Sequence, residues 1–177
     1  PLILRKSIYA LFYALVLRNS LRKYKPIKEK GQYYQHLLGV NIHKYTIYYK
    51  SEFQPEFEFE DAKRFCAQHE IPLKILHGSV LKDNTIIENP KNRCYYCKQR
   101  IFSAIQKEAL AQGFSVLLDG TNASDEADDR PGMLALKEVH VLSPLRLCGL
   151  TKQDIRMLSK EAGLFTWDKP SYACLAT

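Results

Sequence analysis

The sequence predicts an α/β domain with a mainly parallel sheet flanked by helices. Three observations carry that expectation. From residue 51 onward, stretches with helical apolar spacing alternate with short apolar runs of strand length. The strongest run, residues 114–118 (FSVLL), follows a long amphipathic stretch and ends in the turn residues Asp119-Gly120-Thr121-Asn122. Gly113 and Gly163 each stand just past a periodic segment, where a helix stops.

Taken in order, residues 2–18 predict a helix that is apolar almost all round, and residues 18–36 a basic, Tyr-rich loop without period. Residues 41–50 (NIHKYTIYYK) are β-branched and aromatic and predict a strand. Residues 56–69 carry Phe57, Phe59, Ala62, Phe65 and Cys66, the later ones on a helical stripe. Residues 72–77 read as a short strand. Residues 93–112 read as a helix with Ile101, Phe102, Ile105 and Leu110 on one face. After the 114–118 strand come a short helix at 133–139 and an extended piece at 140–145. Thr151 then caps a helix running to Ala162, with Asp154 at its third position and Gly163 as its stop. Residues 167–177 have little period.

A chain of 177 residues is enough for one domain with a sizeable core. The net charge of +7 invites a nucleic-acid partner, but its distribution argues against one. Residues 1–50 hold ten Lys and Arg against Glu29 alone, while residues 51–177 hold sixteen basic residues against eighteen acids. The composition therefore divides the chain into a divergent segment 1–50 and an α/β domain 51–177. Pro1 stands where a natural start would have Met. The apolar run 8–17 is half the roughly 20 residues that a membrane-spanning helix needs, and no small-x-small cleavage site follows it. No membrane partner is expected. Five cysteines, an odd number without the spacing of a disulfide framework, suit a reducing, cytoplasmic setting.

Three stretches carry chemistry. Cys94 and Cys97, in NRCYYCK, open a helix. A closed zinc knuckle would need two more ligands, and no second such pair occurs. A redox pair and plain packing at a helix start both remain open. Lys98 and Arg93 are cations close to a helix N-terminus, where backbone amides and positive charge can hold an anion together. In the second stretch, Gly120 allows a sharp turn and a close approach to a ligand. Thr121 and Asn122 offer neutral donors and acceptors. The acids at 125, 126, 128 and 129 suit a magnesium ion with its phosphates, and Arg130 a phosphate or carboxylate. Against this stands the plainer reading of a solvated acidic loop; its place after a core strand favours function. The third stretch holds Cys174 in a segment without period near Lys169, a candidate thiolate nucleophile or a small buried residue.

Together, NRCYYCK, DGTN-x-x-D-x-x-x-x-RPG, SPL-x-x-x-GLTK-x-x-IR-x-LS-x-x-x-GL-x-TWDKP and ACLA resemble, in order and spacing, one family. It is the ATP-dependent sacrificial sulfur transferases that make the nickel-pincer nucleotide cofactor of lactate racemase. These belong to the PP-loop ATP pyrophosphatases, a Rossmann-like class that includes NAD synthetase and GMP synthetase. The resemblance runs from about residue 51 to residue 177. It implies that ATP, with Mg2+, activates a carboxylate of a pyridinium dicarboxylate mononucleotide and releases pyrophosphate. A protein cysteine then attacks the acyl-adenylate and gives up its sulfur, leaving dehydroalanine. The donor position corresponds to Cys174, and Lys98 and the loop from Asp125 to Arg130 correspond to positions near nucleotide and phosphates. Some relatives instead use an iron–sulfur cluster on three cysteines. The family's habit also implies a homo-oligomer. Other readings are a PP-loop amide ligase or tRNA-modifying enzyme, and a non-catalytic remnant with a metal or redox site at Cys94 and Cys97.

The family's Ser-Gly-Gly-x-Asp-Ser, whose amides cradle pyrophosphate, does not occur in this chain. Before residue 51 the only glycines are Gly31 and Gly39. ACLAT precedes the place where the family's C-terminal substrate region would begin, so the α/β domain is expected to be incomplete. These 177 residues by themselves are therefore expected to release no pyrophosphate from ATP above background. Steady release in a coupled pyrophosphate assay would overturn that expectation.

Overall fold

The computed structural model describes residues 2–5, 44–125, 131–170 and 174–175. The first element corrects the sequence reading. Leu2–Arg5 is strand β1, not the beginning of a helix; the rest of the expected 2–18 helix lies outside the described residues. An apolar run carries no period of its own, and here pairing on both sides decides the matter. β1 hydrogen-bonds to the strand expected at 41–50, which is β2 (Lys44–Lys50).

Helix α1 (Glu56–Gln68) follows, burying Ala62, Phe65 and Cys66, while Phe57 is 43% exposed and stays off the stripe. Next are β3 (Leu73–His77) and a single helical turn, α2 (Asn84–Ile87), capped by the Asp83 carboxylate, which accepts from Thr85 N. The long helix α3 (Arg93–Ala111) buries Ile101, Phe102, Ile105 and Ala109. Leu110, expected on that face, is 60% exposed; Ala109 takes its place one position earlier in the turn. Gly113, at φ +79°, ends the helix in the left-handed conformation that glycine adopts without strain. Phe114 is buried just ahead of β4 (Val116–Asp119).

Then come α4 (Pro131–Glu138) and α5 (Pro144–Leu147). Residues expected to be extended to 145 instead turn helical at Pro144, whose fixed φ suits a first helical position. Only Leu142 keeps the extended reading, as an isolated parallel bridge to Leu118. The last helix, α6 (Lys152–Glu161), has the expected capping box: Thr151 Oγ1 accepts from Asp154 N and the Asp154 carboxylate accepts from Thr151 N.

The four strands form one parallel sheet in the order β3-β2-β1-β4. Strand alternation sends Ile47 and Tyr49 to one face and Tyr48 to the other. On the first face, Ile47 and Tyr49 pack in a cluster with Ile101, Ile105 and Ala109 of α3, and with Val80, Ile86, Phe114 and Leu117. On the second, the Tyr48 ring lies 5.2 Å from Phe59 of α1. Helices thus cover both faces, as parallel sheets require. No helix among the described residues is long and apolar enough to cross a membrane.

Cys66 sits in this core, and burial pushes its thiol up to about 11 from an ordinary 9.0. Its folded pKa lies above its unfolded one, so its contribution to stability is intact below pH 9 and is lost as the pH rises towards 11. Urea titrations at pH 8, 9.5 and 10.5 are expected to show stability falling over that window. The fall should be shallower in Cys66→Ala.

Candidate active site at the carboxyl edge of the sheet

In the order β3-β2-β1-β4 the chain builds outward from β1 to one side, then returns to β1's other side for β4. That reversal opens a crevice beyond the carboxyl ends of β1 and β4, the place where open parallel sheets bind ligands. Arg5 and Asp119 are the paired residues at those two ends.

Asp119 organises the turn that follows. Its carboxylate is buried and accepts three hydrogen bonds: Oδ1 from Thr121 N (3.2 Å) and Ser143 Oγ (2.6 Å), Oδ2 from Thr121 Oγ1 (2.6 Å). Buried charge is tolerated when it is saturated in this way. Asn122 N donates to Asp125 Oδ2 (2.9 Å), and Asn122 Oδ1 accepts from Ser124 N (2.9 Å). The outer rim is braced from α5 and α6. Arg146 Nη1 donates to Asp125 O (2.8 Å), Arg146 N to Thr121 O (3.2 Å), Ala123 N to Leu150 O (2.8 Å) and Lys152 N to Ser124 Oγ (3.0 Å). Gly120, Thr121, Asn122 and Asp125 are thus brought together, and each is half-buried at the sheet's edge. Arg130 and the acids at 126, 128 and 129 lie outside the described residues. Sequence reasoning named the turn and missed the part Asp119 plays in it. The signal was there, an acid closing an apolar strand just before glycine.

The N-terminus of α3 brings Cys94 (exposed), Cys97 (half-buried against the α3 core cluster) and Lys98. The Lys98 side chain runs over Gly132 at the start of α4: a Cβ at position 132 would stand 2.8 Å from Lys98 Cδ and 3.1 Å from Nζ. The same two helices are tied by Tyr95, whose hydroxyl donates to the Glu138 carboxylate (2.9 Å). That bond stabilises the protonated phenol and raises its pKa.

On the other side of β1, the carboxyl ends of β2 and β3 open on a cleft of about 620 Å³ lined by residues that include Lys50, Glu56, His77 and Gly78. Its floor is a polar turn. Buried Ser51 donates through N (2.8 Å) and Oγ (2.6 Å) to Gln54 Oε1, and Lys50 Nζ bonds Gln54 O (3.2 Å) and pairs with Glu56 (2.7 Å). Glu52 accepts from Val80 N (3.1 Å), and a hydrogen bond from Ser79 holds its carboxyl below the usual range. Gly78 lets Tyr49 pass, since a Cβ there would fall 1.9 Å from the Tyr49 hydroxyl. Cys174 belongs to this side. It is half-buried, and its neighbour Leu175 donates from N to Phe53 O (3.1 Å), in the turn that leaves β2. Strand spacing separates the ends of β2 and β4 by roughly 10 Å. Cys174 and the Gly120 turn therefore share one edge of the sheet, flanking the end of β1.

Among the described residues, no three His, Cys, Asp or Glu side chains converge as a metal-binding group. Mg2+ in nucleotide sites takes most of its ligands from phosphate and water, so one or two carboxylates suffice. The half-buried Asp125, at the rim of the turn, suits that lesser role; buried Asp119, with three donors on it, holds the turn instead.

The fold and its edge define a parallel α/β protein with helices on both faces of the sheet, the architecture expected from the sequence. The same fold occurs in the U34-tRNA thiolase NcsA from Methanococcus maripaludis, solved with its 4Fe-4S cluster: TM-score 0.62 and 16% identity, over 99% of this chain and 61% of that one. No family model matches the chain. In sequence it is 36% identical over 120 residues to an uncharacterized protein of Synechocystis sp., covering 68% of this chain and 45% of that protein. It is 31% identical over 119 residues to the pyridinium-3,5-bisthiocarboxylic acid mononucleotide synthase of Lactiplantibacillus plantarum, covering 67% of this chain and 43% of the synthase. The chain thus spans a little under half the length of these relatives.

If Asp119 holds the turn, its removal strands three donors. Asp119→Ala is expected to cost about 3 kcal/mol in a urea titration. Asp119→Asn, which keeps one acceptor oxygen, should cost less.

Proposed function

We propose that this chain is part of an ATP-dependent sulfurtransferase in which Cys174 donates sulfur to an adenylated carboxylate of a pyridinium dicarboxylate mononucleotide. The observation that carries this reading is the Leu175–Phe53 main-chain bond, which keeps Cys174 beside the end of β2 on the edge where the 119–125 turn also lies. The likeness to the Lactiplantibacillus plantarum synthase supports the same chemistry.

The chemistry follows from a poor leaving group. A carboxylate cannot expel oxide, but its adenylate expels AMP. The Cys174 thiolate attacks the acyl carbon, the C–O bond to AMP breaks, and a thioester forms. Loss of the Cys174 Cα proton with cleavage of its Cβ–Sγ bond then releases a thiocarboxylate and leaves dehydroalanine. In this reading Gly120 lets the backbone approach the phosphates, and the side chains of Asn122, Lys98 and Arg130 face them, while the Thr121 and Asn122 amides hold the turn itself. Asp125 would hold the Mg2+, which would supply positive charge against the phosphates. The enzyme works in the cytoplasm as a homo-oligomer on a small-molecule nucleotide, without nucleic acid or membrane.

The test bypasses ATP activation by supplying the preformed acyl-adenylate of a pyridine dicarboxylate. Intact-mass and peptide analysis is expected to show acylation at Cys174, followed by a loss of about 34 Da at that residue. Cys174→Ala should show neither change. Acylation at Cys94 with Cys174 untouched would sink the proposal.

A further inference from the structure

Residues 165–169 are fastened to α1 in a way that the fold alone does not require. Lys169 Nζ makes an ion pair with Asp61 on the second turn of α1, bridging 108 positions of sequence. The pair is partly withdrawn from solvent, with the Lys169 side chain 36% and the Asp61 side chain 13% exposed. Lys169 O accepts from Arg156 Nη2 of α6 (2.9 Å). Arg64 of α1 lies 4.1 Å from the Phe165 ring centroid, and the Phe65 ring stands 6.5 Å from the same ring. Six residues after Lys169, the chain is fastened again by the bond from Leu175 N to Phe53 O. Both attachments are to the same unit, the β2–α1 connection and its helix. Cys174 sits next to the second and five residues from the first.

We propose that Asp61 and Lys169 are positioning residues: their ion pair anchors the chain to α1 five residues ahead of Cys174 and so helps to hold the thiol at the sheet's edge. This rests on Cys174 being the sulfur donor. With Lys169 pinned, five residues of chain limit Cys174 to within about 18 Å of it. Without the pair, Lys169 keeps its carbonyl bond from Arg156 of α6 but loses its own tie to α1, the helix that follows the connection to which Leu175 bonds. Neither side chain touches the reacting atoms; the pair acts through the placement of Cys174.

The test needs neither ATP nor substrate, so it stays readable if the sulfur-transfer reading fails. The chain is pulsed with iodoacetamide, and alkylation of each cysteine is followed by peptide mass mapping. Exposed Cys94 serves as the internal standard and buried Cys66 and Cys148 as reporters of global opening. Asp61→Asn and Lys169→Met are each expected to raise the Cys174 rate about fivefold relative to Cys94. Cys66 and Cys148 should stay unlabelled, and Lys169→Arg should keep the original rate. An unchanged Cys174 rate in both variants would overturn the proposal. So would labelling of Cys66 and Cys148 in step with Cys174, since the pair would then be holding the whole domain.

Discussion

Parallel pairing of β1 with both β2 and β4 is the constraint on which the rest depends. Four strands running the same way put their carboxyl ends on one edge, and among the described residues the Asp119 turn and Cys174 both lie along it. Placing β1 in the middle also sets the spacing between the two halves of the site. The Asp119 turn stands on one side of it and the Ser51–Gln54 turn on the other. Slipping β4 against β1 by one residue would turn Leu117 and Leu118 to the wrong faces and carry Asp119 away from Ser143.

The helices turn that edge into a site by different means. Helix α3 buries its length against the sheet, and its second turn projects Lys98 over the start of α4. Helices α5 and α6 bury Leu145, Ile155 and Leu158, and spend main-chain and guanidinium bonds on the 119–125 turn. Core packing and site geometry are therefore one construction. The polar groups of the turn are saturated by elements that the apolar core has already fixed, which spares them most of the ordering entropy.

What was legible in the sequence was what local physics decides. Strands at 44–50 and 73–77, the α3 helix, the capping box at Thr151 and the DGTN turn all announced themselves through period, capping or turn chemistry. Where pairing overrode local preference, the reading failed. Leu2–Arg5 lies in a longer apolar stretch, and only β2 and β4 make it a strand. Leu110 was expected on the inward face from its helical spacing, yet Ala109 occupies that position. In the site, the chemistry-bearing types at Lys98, Thr121, Asn122 and Cys174 could be named. The Ser143 bond to Asp119 and the Lys169 pair with Asp61 span 24 and 108 residues, and no local pattern encodes either. The central requirement of the resemblance, a phosphate-cradling loop, is tied to the stretch after β1, where the sequence carries no glycine until Gly31.

The contact between Gly78 and Tyr49 has a consequence for anyone who would reshape the cleft. Position 78 lines the cavity, while the ring it accommodates belongs to the hydrophobic cluster beneath α3. A library that varied residue 78 to alter ligand preference would be varying the core at the same time. Most of its members would lose folding yield before their binding could be scored. Diversity is better placed at Glu52, Glu56 and His77, which line the same opening and are exposed to water.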